Sequence, residues 1–147
     1  MAEILLTGGS GNIGKNLRGK LELQGHHVFL LSRQIASNNA YLWDLDKNYI
    51  DDAAIRKYDH IIHLAGENIG KRWTKSNKRQ IYQSRIKAIQ LLYSKFKEKN
   101  SLPHTFICAS AIGYYGFGDP ETEFSETDPN GEGFLSRVCL DLEKEAM

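Results

Sequence analysis

The chain has 147 residues, 41% of them apolar and 25% charged, with a formal net charge of +1. That length fits one domain, residues 1–147, with a sizeable core, and the composition is that of an ordinary globular protein rather than a disordered or disulfide-stapled one. The near-zero charge gives no reason to expect nucleic acid or a bare membrane surface as partner. No apolar run is long enough to span a bilayer and no secretory leader is visible, so the cytoplasm is the expected location.

In chain order, residues 3–7 read as a buried strand, and Ile13, Leu17 and Leu21 recur at helical spacing up to a capping glycine at Gly25. Residues 28–31 form a second buried strand ending at Ser32-Arg33, residues 34–39 a loop, and residues 41–43 a short third strand followed by Asp44. Residues 50–57 suggest a weak short helix, and residues 60–64 a fourth strand running into Ala65-Gly66. After the loop 67–73, Thr74 is placed to cap a long helix. Its inner stripe is Ile81, Arg85, Ala88, Leu92 and Phe96, and Tyr82, Ile86, Ile89 and Tyr93 widen it enough for packing on two sides. Residues 100–103 end that helix, residues 105–109 form a fifth strand, and a long loop over 110–133 precedes a last helix from Phe134. Strands that alternate with helices, and that are continuously apolar, imply an α/β fold with a doubly wound parallel sheet covered on both faces.

The stretch that organises this pattern is Thr7-Gly8-Gly9-Ser10-Gly11-Asn12-Ile13-Gly14, between the first strand and the first helix. Glycines at this spacing allow a sharp strand-to-helix turn, close approach of a diphosphate to bare backbone, and tight packing of helix on strand. Free N–H groups at the helix start and the helix dipole then favour phosphate. Dinucleotide binding through Gly8 to Gly14 is the reading, the fold is of the Rossmann type, and the expected strand order is 3-2-1-4-5. An acid at the end of the second strand usually marks NAD; here Ser32-Arg33 stands there and no acid follows until Asp44. A guanidinium suits a 2′-phosphate, so NADP is expected, with NAD as second choice.

Other features carry less. Cys108 and Cys139 sit far apart in apolar surroundings and read as buried free thiols, not a disulfide or metal site. No metal site is expected from the histidines: His26 and His27 are adjacent at a strand start, and His60 and His63 fall on opposite faces of their strand. Residues 71–99 hold ten Lys or Arg and one acid, whereas residues 119–147 hold nine Asp or Glu and two basic residues. Neighbouring helices of opposite charge, or solvated faces, explain most of this asymmetry. A nucleic-acid role for the basic segment is disfavoured because its charge is offset by the acidic end of the chain.

The motifs Thr7–Gly14, Leu31-Ser32-Arg33, His63-Leu64-Ala65-Gly66-Glu67-Asn68-Ile69, Arg72-Trp73-Thr74, Ser84-Arg85, Ala109-Ser110-Ala111-Ile112-Gly113-Tyr114-Tyr115-Gly116 and Gly133-Phe134-Leu135 together resemble an atypical extended short-chain dehydrogenase/reductase. Within that superfamily the chain is similar to the "epimerase family" of NAD(P)-binding proteins, related to NAD-dependent epimerases and dehydratases. A cell-division inhibitor label used for some members finds no support in these residues. The resemblance implies that Asp44 and Leu45 meet the adenine, and that Leu64, Ala65, Gly66 and Glu67 line the nicotinamide-side ribose. It also implies that Ala109 and Ser110 lie near the nicotinamide, with Arg85 reaching the same pocket. Members of this type are about twice as long, so the chain is expected to lack the C-terminal strands and the substrate domain. Self-association through the long helix or an exposed sheet edge is expected.

The resemblance leaves the reaction open. Superfamily members use a Ser or Thr after the fifth strand and a Tyr-x-x-x-Lys pair on the next helix, the Tyr as acid/base and the Lys lowering its pKa. Here Ala111 occupies the usual Ser position with Ser110 just before it, and Leu135 and Cys139 stand where Tyr and Lys belong. One reading is an oxidoreductase or epimerase-like enzyme acting on an unknown small-molecule substrate, with Ser110, Tyr114 or Tyr115 donating the proton and Glu67 in support. Another is an NADP-binding sensor or regulatory module without turnover; a third is a remnant that binds weakly.

Overall fold

The computed structural model describes residues 1–35, 37–118 and 121–147. Ala36, Asp119 and Pro120, which fall in two of the expected loops, lie outside the described residues. The elements are β1 (Glu3–Thr7), α1 (Asn12–Leu23), β2 (His27–Ser32), β3 (Ala40–Asp44), β4 (Tyr49–Ile50), β5 (His60–His63), α2 (Lys75–Glu98), β6 (Thr105–Cys108) and α3 (Phe134–Ala146), with 3₁₀ turns at Asp52–Ala54 and Ile112–Tyr115. They form a six-stranded sheet in the order β4-β3-β2-β1-β5-β6. The five longer strands are parallel and follow the expected order, with β1 central between β2 (Thr7 opposite Leu31) and β5 (Thr7 opposite His63). Among the described residues no helix is long and apolar enough to cross a membrane.

The strand pleat divides the core. Leu5, Leu31, Trp43 and Ile61 face α2 and pack with Ala88, Leu91, Leu92 and Phe96, whereas Ile4, Leu6, Val28, Leu30 and Ile62 face α1 and meet Leu17 and Leu21. Helix α2 also packs on α3 through Ile86, Ile89 and Leu142, which is the two-sided burial its wide stripe predicts. Across that seam Tyr82 donates to the Asp141 carboxylate at 2.9 Å and Gln90 to Glu145 at 3.0 Å, so the basic and acidic segments are indeed neighbouring helices.

The helix ends obey local rules. The Thr74 hydroxyl accepts from the Asn77 amide at 3.2 Å and caps α2. Gly25, at φ +83°, closes α1 with amide bonds from Gly25 to Glu22 and from His26 to Leu21, the Schellman pattern. Asn100, at φ +51°, does the same for α2.

Three expectations are corrected. The segment 50–57 is not a helix: Tyr49–Ile50 turns back as an antiparallel strand on β3, pairing Trp43 with Ile50, and only a 3₁₀ turn follows. Burial of Ile50, Ala54 and Tyr58 in the α2-side core overrides the weak helical period. Ile13 is 71% exposed, because Gly14 is the residue of the first helical turn pressed against the loop. The sheet is not covered throughout: Thr105 and Ile107 of β6 point away from α2 and α3, and Ile107 is 48% exposed, since the core under α1 ends at Ile62 of β5.

Candidate functional site

The β1–α1 turn is built by steric exclusion. Gly8 sits at φ +72°, and a Cβ there would lie 2.7 Å from the backbone nitrogen of Ala65 and the carbonyl carbon of Leu64. The turn therefore runs directly against the end of β5. A Cβ at Gly14 would lie 2.2 Å from the Gly8 oxygen and 2.8 Å from the Gly9 Cα, so α1 starts in contact with the loop backbone. The Gly11 amide closes the turn on the Gly8 carbonyl at 3.0 Å. Gly11 is also the N-cap of α1 and offers no side chain to it, and the first turn carries no acid. The first amides of a helix have no intrahelical partner, so this end of α1 presents donors and a positive dipole end to an anion.

In front of this loop lies a cleft of about 230 Å³. The structure brings Gly8, Gly9, Ser10 and Gly11 together there with Ser32 and Arg33 from the end of β2, Leu45, and Leu64, Ala65, Gly66 and Glu67 from beyond β5. Arg33 is exposed and makes no salt bridge among the described residues. Glu67 would oppose an anion, but Lys71 pairs with its carboxylate, and that hydrogen bond is the main cause holding its pKa below the usual range. Asp44 lies outside the cleft, in an adjoining hollow of about 630 Å³ that Arg33, Leu45, Gln83 and Lys87 also line. Its carboxylate accepts the Asp46 and Lys47 amides at 3.0 and 3.2 Å, which closes the β3–β4 hairpin and lowers its pKa.

A second cavity of about 180 Å³ shares the wall Leu64-Ala65-Gly66 with the first and is otherwise lined by residues including His63, Arg85, Ala109, Ser110 and Cys139. One nitrogen of Arg85 donates to the carbonyls of Glu67 and Ile81, each at 3.1 Å, and the guanidinium lies flat enough on Gly66 that a Cβ there would be 3.0 Å from its Cζ. His63 is 2% exposed. Its Nδ1 lies 2.7 Å from the Thr7 hydroxyl, which also accepts the Ala65 amide at 3.2 Å. The Thr7–His63 bond joins the ends of β1 and β5. Burial, and secondarily the Arg85 charge, push the His63 pKa down to about 4, so the ring is neutral.

The candidate proton donors are separated by the structure. Ser110 lines the second cavity and donates to the Glu143 carboxylate of α3. Tyr114 and Tyr115 line neither cavity: their rings contact each other, Tyr115 stacks on Phe124 at 4.7 Å, and its hydroxyl donates to the Ser125 carbonyl at 2.8 Å. Cys139, at the usual Lys position, is a buried free thiol whose pKa is raised by burial, so it supplies no charge. Cys108 is likewise free and is pushed up to about 11 by burial.

Sequence reasoning missed Ser84, Trp43, Thr7 with His63, and Glu143. Ser84 accepts the Glu67 amide at 2.9 Å and, with Trp43, lines the cleft. The Ser84-Arg85 pair was a visible motif, but only the helix turn and the loop after β5 together give Ser84 its partner. Thr7 and His63 end adjacent parallel strands, which was readable once the strand order was known.

The model of the NAD-dependent epimerase/dehydratase family matches residues 4–133. The epimerase family protein YfhF of Bacillus subtilis is 39% identical over 97% of this chain, and an epimerase family protein of Mycobacterium leprae is 35% identical over 97%. The chain spans about half the length of these relatives, 48% and 46% respectively. Among solved structures, human epimerase family protein SDR39U1 with NADPH superposes with a TM-score of 0.84 at 28% identity, covering 99% of this chain and 48% of that one. A nucleoside-diphosphate sugar epimerase from Corynebacterium glutamicum gives 0.82 at 29% identity, covering 99% and 30%. The glycine turn, the parallel strand order and these matches make the chain a member of the NAD-dependent epimerase/dehydratase family of dinucleotide-binding proteins.

Proposed function

We propose that this chain is the NADP(H)-binding part of an oxidoreductase or epimerase-like enzyme. The observation that carries the reading is the Arg33 guanidinium, exposed and without a salt bridge among the described residues, beside the uncapped start of α1, in one cleft with no acid at the end of β2. In this reading Gly8, Gly9, Ser10, Gly11, Asn12, Ile13 and Gly14 form the pyrophosphate turn, Ser32 and Arg33 take the 2′-phosphate, and Asp44 and Leu45 border the adenine. Leu64, Ala65, Gly66 and Glu67 border the second ribose, and Arg85, Ala109 and Ser110 surround the reacting end. NADPH in the human relative supports the choice of nucleotide.

The nicotinamide, when bound, supplies or accepts a hydride. The chain's own task is then the proton. With Tyr-x-x-x-Lys absent, Ser110 receives the proton of a substrate hydroxyl while its own passes to the Glu143 carboxylate, and the reverse order serves reduction. The missing Tyr and Lys favour a second reading, an NADP-binding sensor without turnover.

The test is a fluorescence titration with NADPH and NADH. NADPH is expected to bind more tightly, and Arg33→Ala to weaken NADPH roughly 10- to 100-fold, as for a lost charge-assisted hydrogen bond of about 1.5–3 kcal/mol, with NADH hardly changed. Unchanged NADPH affinity in Arg33→Ala would sink the nucleotide assignment.

A further inference from the structure

The second cavity holds a cation that has no salt-bridge partner among the described residues. Arg85 is partly buried and desolvated, which lowers its pKa, and the bonds it makes are from one nitrogen to two neutral carbonyls. Among the described residues it has no carboxylate partner: Glu67, the acid nearest in sequence, is paired with Lys71, and Glu143 takes the Ser110 hydroxyl. A guanidinium withdrawn from water without a counter-ion is unfavourable, and a ligand carboxylate is the partner whose planar geometry matches its fork.

His63 also lines the cavity, is 2% exposed, and has Nδ1 engaged by Thr7. Its Nε2 is buried and has no partner among the described residues. The Arg85 guanidinium is thus the group in this wall that calls for an acceptor. The volume of about 180 Å³ equals about six water molecules of liquid. That is room for a small acid or for the acid end of a larger one, beside the Ser110 hydroxyl.

We infer that the cavity behind the Leu64–Gly66 wall is a carboxylate site in which Arg85 binds the acid group of the substrate, so that the substrate is a hydroxy or oxo acid. This rests on the catalytic reading above for the word substrate; the anion site itself belongs to the chain with or without nucleotide. Arg85 is then a substrate-binding residue and the source of selectivity for acids over neutral alcohols and carbonyls.

The test uses matched pairs, pyruvate against acetone and glucuronate against glucose, followed by saturation-transfer NMR on the protein alone and on the protein with NADPH. At least one acid is expected to bind saturably and at least tenfold more tightly than its neutral counterpart. Arg85→Gln is expected to reduce that binding at least tenfold, and Arg85→Lys, which keeps charge but not the fork, to lie between. Circular dichroism and urea unfolding confirm that each variant is folded. If neither acid binds better than its neutral partner to the parent protein, the site is overturned, whatever the variants do. Acid binding that survives Arg85→Gln in a folded protein also overturns it. Failure of NADPH to bind, with acid binding intact, overturns the nucleotide reading and leaves the anion site standing.

Discussion

Gly14→Ala is expected to lose about 3 kcal/mol of stability and to bind NADPH no longer at concentrations that saturate the parent. The added methyl would sit 2.2 Å from the Gly8 oxygen and 2.8 Å from the Gly9 Cα, both backbone atoms that cannot rotate away. Relief requires moving α1 off the β1 turn, at the upper end of the usual overpacking cost of about 1–3 kcal/mol. The same displacement carries the first amides of α1 away from the cleft, so affinity falls with stability. Gly19→Ala is the internal control. Gly19 lies inside the same helix with nothing within 4 Å of its added Cβ. There the change is expected to stabilise by about 1 kcal/mol through helix propensity alone. Urea unfolding of the two variants, with an NADPH titration on each, reads both effects. Equal shifts in the two would show that contact with the loop does not decide the role of Gly14.

The second large effect is acid sensitivity from His63. In the folded chain its pKa is about 4, against an ordinary value of 6.5. Below pH 6.5 the unfolded chain takes up a proton there that the folded chain refuses. Stability is therefore full above about pH 6.5 and falls as the pH drops toward 4, by about 3 kcal/mol in all. The carboxylates held below their usual range, Asp44, Glu67 and Asp141, act at lower pH, because their unfolded values lie near 4. The window from 6.5 down to about 4.5 thus isolates His63 from these acids. Urea midpoints at pH 7 and pH 4.5 measure the loss, and His63→Gln is expected to abolish most of it. The variant is expected to be less stable at pH 7, since it disturbs the hydrogen bond to Thr7 and the ring contacts with Trp43 and Phe106. Equal losses between the two pH values in parent and variant would refute the assignment.

Gly14 meets loop atoms five and six positions before it, whereas His63 meets Thr7 across 56 positions, and legibility divides along that line. The amino-acid sequence by itself determined the parallel sheet, its central strand and the phosphate-type turn. Continuous apolar runs need burial on both faces, and Gly8, Gly11 and Gly14 occupy spacings at which a strand can turn into a helix. It also determined the ends of α1 and α2, because Gly25, Thr74 and Asn100 act on backbone groups only a few residues away. The tertiary structure alone decided the β4 hairpin, where burial of Ile50 and Tyr58 outweighed a weak helical period. It alone set Tyr115 on Phe124, outside both cavities, and joined Ser110 to Glu143 across 33 positions of chain. It alone laid Arg85 on Gly66 and closed Thr7 on His63 across 56 positions. The physical reason is range. Propensity, capping and steric exclusion act within a few residues of chain, whereas desolvation and the pairing of charges depend on which surfaces the finished sheet brings together.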